Sequence, residues 1–198
     1  MPLRTMIHDP DVGIASLARL LEAMTWSARR VALRGLSRRD QRRLYEKAAA
    51  AAPLAIDAFA PRDAPVVHVG RNTLPLPPPF RDFEKHFARP REGGDRAYGF
   101  NEGTSRPLLG PGYFVARPID PSEAWWSRGS VVVDYYVVPD TAVPAVWPRV
   151  VPNTRGLQRF VYHHTRDFMR DVGAGVTIGS AYKGETALDH YFVLLRSP

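Results

Sequence analysis

Short apolar runs separated by glycine and proline turns fill the second half of the chain, and they most constrain its fold. From residue 97 onward the runs have the length and the valine, tyrosine and phenylalanine content of β-strands. Turn signals such as Gly110-Pro111-Gly112 separate them, and such corners favour a curved antiparallel sheet. The last two strands are predicted to pair as a hairpin. The predicted strands are residues 97–100, 113–117, 130–138, 176–182 and 188–195.

The first part of the chain instead has helical periodicity. Asp9-Pro10 predicts a helix start, and apolar residues at spacings of three and four continue to Val31. Ser37 and Asp40 form a capping-box pattern that begins a second helix, which Pro53 ends. Helices followed by an antiparallel sheet define an α+β fold. We expect an N-terminal helical hairpin and a sheet curved into a small barrel or half-barrel.

Composition divides the chain into three parts. Residues 1–60 form the predicted helical hairpin, residues 61–96 a proline-rich connector with a short aromatic helix, and residues 97–198 the barrel-like part. A chain of 198 residues is long enough to bury one sizeable core. We therefore expect the three parts to form one compact unit.

Two segments have a local structure that the pattern does not fix. Phe80, Phe83 and Phe87 are predicted to share one side of a short helical turn. Residues 157–172 suit a helix and a strand equally in their apolar spacing. We favour a helix there, because a strand of that length is unusual.

Composition also excludes several classes of protein. The chain is 44% hydrophobic and 24% charged, which is unlike a disordered or fibrous protein. It has no cysteine, which excludes disulfides, thiol nucleophiles and cysteine-ligated metal sites. The longest low-polarity stretch, residues 48–56, is far shorter than the roughly 20 residues that cross a bilayer. With no secretory signal pattern, we expect a soluble cytoplasmic protein without a membrane span.

Most of the positive charge lies in one segment. The formal net charge is +7, and residues 26–47 alone hold eight basic and two acidic residues. Such an arginine-rich segment, from Arg29 to Lys47, could bind nucleic acid or an acidic partner. Tyr45 is its single aromatic residue, which is too few for base stacking along the segment, and the whole chain has 24 arginines against three lysines. A solvated helix face is therefore the favoured interpretation.

One carboxylate interrupts an otherwise apolar strand. Asp134 follows three valines and precedes two tyrosines, and a buried carboxylate must be paired or protonated. His190 holds a similar place in the last strand. If both side chains face one cavity, Asp134 and His190 are the candidate acid and base of an enzyme. A structural ion pair between Asp134 and an arginine is the alternative.

The aromatic strands also predict a ligand pocket. Phe114 and Tyr135 would line its apolar part, with Asp134 and His190 as isolated polar groups. Arg106 lies in a glycine-rich loop and Arg117 on a strand, and either could bind the anionic end of an amphipathic ligand.

A metal site is a weaker possibility. His163, His164 and Asp167 form an H-H-x-x-D run, which on a helix would place His163 and Asp167 one turn apart. The run lacks the third ligand and the acid of established zinc motifs. No motif identifies a cofactor, so the cofactor stays unknown.

Three functions follow in order of preference. The first is a small-molecule binding module, the second an enzyme that uses the same cavity, and the third an adaptor that binds nucleic acid or an acidic partner. The sequence alone does not determine whether a reaction occurs, and it does not predict the oligomeric state.

Overall fold

The computed structural model describes residues 2–75 and 77–198. Within these ranges the chain forms a closed barrel of eight strands in sequence order, each antiparallel to its neighbours. The α+β prediction is confirmed, and the barrel is closed by pairing of the first strand with the last. The strands are β1 (Val66–Asn72), β2 (Asp82–Ala88), β3 (Ala97–Glu102), β4 (Phe114–Pro118), β5 (Val131–Asp134), β6 (Thr165–Gly173), β7 (Val176–Lys183) and β8 (Thr186–Arg196).

Five α-helices precede the first barrel strand, and four of them form the N-terminal helical part. The predicted long first helix is divided, because the Thr25 hydroxyl accepts a hydrogen bond from Ala28 N and starts a new helix. Asp9 follows the end of a helix and does not start one, which corrects that prediction. Ser37 and Asp40 form the predicted capping box. The four helices of that part are α1 (Leu3–His8), α2 (Ile14–Glu22), α3 (Trp26–Arg34) and α4 (Arg38–Lys47).

The apolar faces of these helices cover one side of the barrel. Helix α2 packs on β6, α3 on β8, and α4 on β7 and β8. Leu17, Leu21 and Leu44 are at most 1% exposed there. A period-3.6 apolar stripe joins a core in this way, so the helical part and the barrel share a hydrophobic core.

The proline-rich connector contributes two barrel strands, β1 and β2. The predicted aromatic helix is wrong, because Phe83 and Phe87 lie on strand β2. A spacing of four residues fits one face of a strand as well as one face of a helix, since side chains alternate with period two. The pairs of β2 with β1 and β3 then decide between the two.

The segment of ambiguous pattern is mostly strand. Only one helical turn, α7 (Gln158–Val161), precedes β6, so the preference for a helix is correct for that turn alone. His164 has a φ of 62°, a left-handed conformation that separates the two elements. Strand β5 is shorter than predicted, because the Asp134 carboxylate accepts a hydrogen bond from Tyr136 N and turns the chain.

The two ends of the barrel are closed differently. Helix α5 (Ile56–Phe59) closes one end, where Phe59 packs against His68 and Phe87. The other end carries residues 73–75 and 77–81, residues 103–113 with helix α6 (Arg106–Leu109), and both ends of the segment 135–164. The middle of that segment reaches the opposite end, where Asp140 bonds to Arg96 and Tyr98, and Thr141 bonds to Glu92. We call these three segments the tip loops. Among the described residues, no helix is both long and apolar enough to cross a membrane.

Glycines inside the barrel make room for large rings. A Cβ atom at Gly99 would lie 2.4 Å from the Phe114 ring and 2.5 Å from the His86 carbonyl oxygen. A Cβ at Gly179 would lie 2.3 Å from the Phe192 ring. A small barrel has an interior that side chains fill, and here small and large residues alternate across it. The pairs are Gly70 with Phe83, Gly99 with Phe114, and Gly179 with Phe192.

We expect Gly99→Ala to destabilise the barrel. The new methyl group meets a ring and a backbone oxygen, and overpacking of this kind costs roughly 1–3 kcal/mol. Urea unfolding followed by circular dichroism measures the change. Gly103→Ala is the matched control, since its Cβ would make only ordinary contacts at 3.6 Å. Equal stability of the two variants would contradict this packing.

Candidate functional site

A lysine lies inside the barrel near the tip. Lys85 is on the inward face of β2 and is only 2% exposed. Its neighbours on the same face, Phe83 and Phe87, are aromatic. A fully buried ammonium group is costly unless it is paired, so the groups around it identify the site.

Three polar side chains surround the Lys85 amine. Its Nζ donates to Asn101 Oδ1 at 3.0 Å, to Asp167 Oδ2 at 3.2 Å and to the Tyr135 hydroxyl. The Tyr135 hydroxyl in turn donates to Asp167 Oδ2 at 3.2 Å. We call Lys85, Asn101, Tyr135 and Asp167 the Lys85 cluster.

Four aromatic rings enclose the same amine. The distances from Lys85 Nζ to the ring centroids are 4.8 Å for Phe114, 5.0 Å for Tyr135, 5.1 Å for Phe192 and 5.8 Å for Phe83. Ring faces attract a cation within about 6 Å. We call these four rings the aromatic cage. They fill the barrel interior at this level, where the sequence predicts an apolar pocket.

Burial shifts both charged groups toward their neutral forms. Loss of hydration lowers the pKa of Lys85 below that of an exposed lysine, and the charge of Asp167 opposes this shift. Loss of hydration likewise raises the pKa of Asp167, against the attraction of Lys85. Burial also raises the pKa of Tyr135, which stays a protonated donor. The pair can therefore exchange a proton at a smaller cost than a solvated pair.

The tip loops form a lid over the cluster. Tyr162 stacks on Tyr135 with a centroid distance of 5.2 Å. Gln158 accepts a hydrogen bond from Gly112 N at 3.3 Å, and Asn101 Nδ2 donates to the Gly112 carbonyl at 3.0 Å. The lid thus contacts the cluster directly through side chains and through the glycine-rich loop.

A groove of about 230 Å³ lies beside the cluster, between α3 and strands β1 and β2. Asp82 in this groove pairs with Arg34 at 2.6 Å and with Arg71 at 3.2 Å. Phe83 lines the groove and also belongs to the aromatic cage. Its ring therefore separates the groove from the Lys85 amine.

The structure brings together some of the residues that the sequence singled out. Phe114 and Tyr135, predicted to line a pocket, both lie in the aromatic cage. Asp167, considered as a metal ligand, belongs to the Lys85 cluster. It lies on a strand and not on a helix, so the one-turn spacing to His163 does not apply.

The charged candidates lie elsewhere. Asp134 pairs across the strands with Arg166 at 2.9 Å, on the outer side of the barrel. Arg117 pairs with Glu123 at 2.7 Å, and Arg106 with Glu102 at 2.7 Å. Each is therefore bound to a partner within the chain, and Asp134 has the ion pair that was its alternative explanation.

The three histidines that the sequence singled out do not form one site. His190 lies on β8 opposite Ala181, and its Nδ1 has no hydrogen-bond partner in the part of the chain that is described. Burial lowers the pKa of His190, and Arg38 adds to the effect. His163 and His164 contact each other at the tip, with ring centroids 3.8 Å apart. No metal-ligating group of three such side chains occurs in the described ranges.

Most basic side chains of the arginine-rich segment bind acceptor groups within the same chain. Arg42 pairs with Asp189, while Arg38 donates to the Thr73 carbonyl at 3.0 Å. Six of its eight basic residues have such protein acceptors: Arg29, Arg34, Arg38, Arg42, Arg43 and Lys47. Fewer basic side chains of the segment are therefore available to bind an external polyanion.

Sequence reasoning missed Lys85 and the role of Asn101. The sequence does contain a signal for the lysine. The chain has only three lysines against 24 arginines, and Lys85 is one of the three. Arginine is the usual base on the surface of this chain, and only a lysine offers a compact amine that can lose its proton. No local pattern links Asn101 to Lys85, because the contact arises from the pairing of β2 with β3.

Comparisons with protein-family models, with curated proteins and with solved structures found no match to this chain. The proposed function therefore rests on the chemistry of the barrel interior.

We expect Lys85→Met to destabilise the protein strongly at neutral pH. The change leaves Asp167 buried without its cation, which costs roughly 3–5 kcal/mol. The raised pKa of Asp167 means that the folded state favours the protonated carboxyl. The loss should therefore be smallest at acidic pH and grow as the pH rises through the folded-state pKa.

Urea unfolding at several pH values measures this loss. The double variant Lys85→Met/Asp167→Asn should recover much of the stability at neutral pH, because it removes both charges. A pH-independent loss in Lys85→Met would show that the carboxylate is not the source of the cost.

Proposed function

We propose that this protein binds a small amphipathic or anionic molecule inside the barrel, with Lys85 as its polar anchor. The supporting observation is the enclosure of the Lys85 amine by four rings beneath the lid. An apolar residue could fill this space with equal or greater stability, since buried ion pairs often contribute little to folding. A retained, costly charge in an aromatic barrel favours a binding role.

The chemistry of the cluster defines the ligand. An anionic end would accept hydrogen bonds from Lys85 and Asn101, while Asp167 takes up a proton. The apolar body would lie against Phe114 and Phe192. This assignment replaces Arg106 and Arg117 as the anchors expected from the sequence, because both are held by glutamates.

Binding requires movement, because side chains occupy the interior. Phe83 is partly exposed and lines the groove beside the cluster, so rotation of its ring would open a path to Lys85. Displacement of Tyr162 with the lid is the second route. Closed and open states of this kind exchange on a microsecond to millisecond timescale in many proteins.

Native mass spectrometry of the purified protein tests this proposal. The wild-type protein should carry a small molecule, or take up dodecanoate after delipidation. Lys85→Met/Asp167→Asn should reduce either form of binding at least tenfold, because the ligand loses its charged anchor.

The matched control is Arg117→Met/Glu123→Gln, which removes an ion pair on the outer side of the barrel. It should bind as the wild-type protein does. Equal binding by the Lys85 variant, or a wild-type protein that neither carries a molecule nor binds dodecanoate, would contradict the proposal.

A second candidate function is carbonyl chemistry at the Lys85 amine. The observation that favours it is an amine of lowered pKa beside a carboxyl of raised pKa. The neutral amine would attack an aldehyde carbon to form a carbinolamine. Asp167 would donate its proton to the carbinolamine hydroxyl, which leaves as water. The nitrogen lone pair then forms the C=N bond, and the resulting protonated imine is paired with the Asp167 carboxylate, which can take back the N–H proton.

Borohydride trapping with decanal tests the second candidate. Reduction fixes the imine, and peptide mass spectrometry locates it. The chain supplies internal controls, since Lys47 and Lys183 are its other lysines. We expect modification at Lys85 well above that at the other two. Modification of Lys47 and Lys183 alone would exclude an imine at the cluster.

A further inference from the structure

Exposed apolar side chains concentrate at one end of the barrel. Nine large apolar side chains are exposed in the described residues, and eight of them lie in the tip loops. Leu108 is 71% exposed and Phe160 is 65% exposed. Five of them occupy three short helical turns: Phe80, Leu108, Leu157, Phe160 and Val161. We call these five residues the tip surface.

Contacts between the loops place these turns beside one another. Gly112 N donates to the side chain of Gln158, which joins the loop of α6 to α7. Pro79 and Thr104 line the same groove, which places the turn of Phe80 beside the loop that leads into α6. The strands that enter and leave these loops fix all three at the same barrel end. Contiguous exposed apolar side chains on a soluble domain indicate an interaction site.

The charge of the tip loops is mostly positive. Residues 73–81 and 103–113 each contain one arginine and no acidic residue. Residues 135–164 contain three arginines, two histidines and one acidic residue, Asp140, which pairs with Arg96 at 3.0 Å. Arg155 and Arg159 have no ion pair among the described residues and are exposed. The tip therefore presents apolar side chains within a basic field.

We propose that the tip surface docks on an anionic lipid bilayer. Leucine, valine and phenylalanine on short turns would enter the headgroup region, while flanking arginines bind lipid phosphates. A long arginine side chain can keep its charge at the phosphate level while its stem lies along apolar surface. The basic field makes the anionic bilayer a better partner than a neutral one.

Vesicle co-sedimentation tests this inference. The wild-type protein should bind vesicles that contain phosphatidylglycerol and phosphatidylcholine much more strongly than vesicles of phosphatidylcholine alone. Leu157→Glu/Phe160→Glu should reduce binding at least tenfold. Arg155→Gln/Arg159→Gln should reduce it by roughly fivefold for each charge removed, and high salt should have a similar effect.

The matched control is Val31→Glu on α3, which changes the one exposed large apolar residue that the described part of the chain has outside the tip loops. It should bind vesicles as the wild-type protein does. Circular dichroism shows whether each variant is folded. Absence of wild-type binding to anionic vesicles overturns the proposal, as does equal loss in the Val31 variant.

A second copy of the chain is the alternative occupant of the tip surface. Size-exclusion chromatography with light scattering distinguishes it. A wild-type dimer that Leu157→Glu/Phe160→Glu dissociates, together with no vesicle binding, would assign the tip to self-association and overturn the lipid proposal. The dodecanoate experiment on Lys85 is independent of either result.

Discussion

The interior volume of an eight-stranded barrel limits what can lie inside it, and this chain meets the limit by opposing glycines to rings. Phe83, Phe114 and Phe192 each lie opposite a glycine of the neighbouring paired strand, where a Cβ would collide with the ring. The same rings surround the Lys85 amine. The position of the charge thus follows from the packing. Substitutions that alter the rings would change the electrostatics of the cluster as well as the stability of the barrel.

Charged side chains have different surroundings in three parts of the molecule. The arginine-rich helices use their bases internally, on carbonyl groups and carboxylates of the barrel. The interior holds the buried pair of Lys85 and Asp167, whose pKa values burial shifts toward the neutral forms. In the tip loops, Arg155 and Arg159 are exposed and have no ion pair among the described residues. The net charge of +7 is therefore a poor guide to where an anionic partner would bind.

The sequence predicts the α+β class and most barrel strands, because apolar alternation and glycine turns act locally. It assigns Phe83 and Phe87 to a helix, since a four-residue spacing is common to both structures and only pairing partners decide. The sequence also singles out Phe114 and Tyr135, whose rings lie around the Lys85 amine. Lys85 itself is not singled out, because its environment is made by strands far apart in sequence. The sequence correctly identifies Asp134 as a carboxylate that needs a partner. Arg166 on the neighbouring strand is that partner.

The longest part of the lid, residues 135–164, is one excursion of the chain between two strands that pair directly. Val131 opposite Met169 and Asp134 opposite Arg166 fix the register of β5 and β6 below residues 135–164. Because loop closure entropy rises only slowly with length, a longer or shorter excursion would change the entropic cost of closing this loop only slightly. An exchange of this one segment between related chains would alter what covers the interior while every strand keeps its neighbours. The fold thus separates the paired strands of the barrel from the segment that covers the barrel interior.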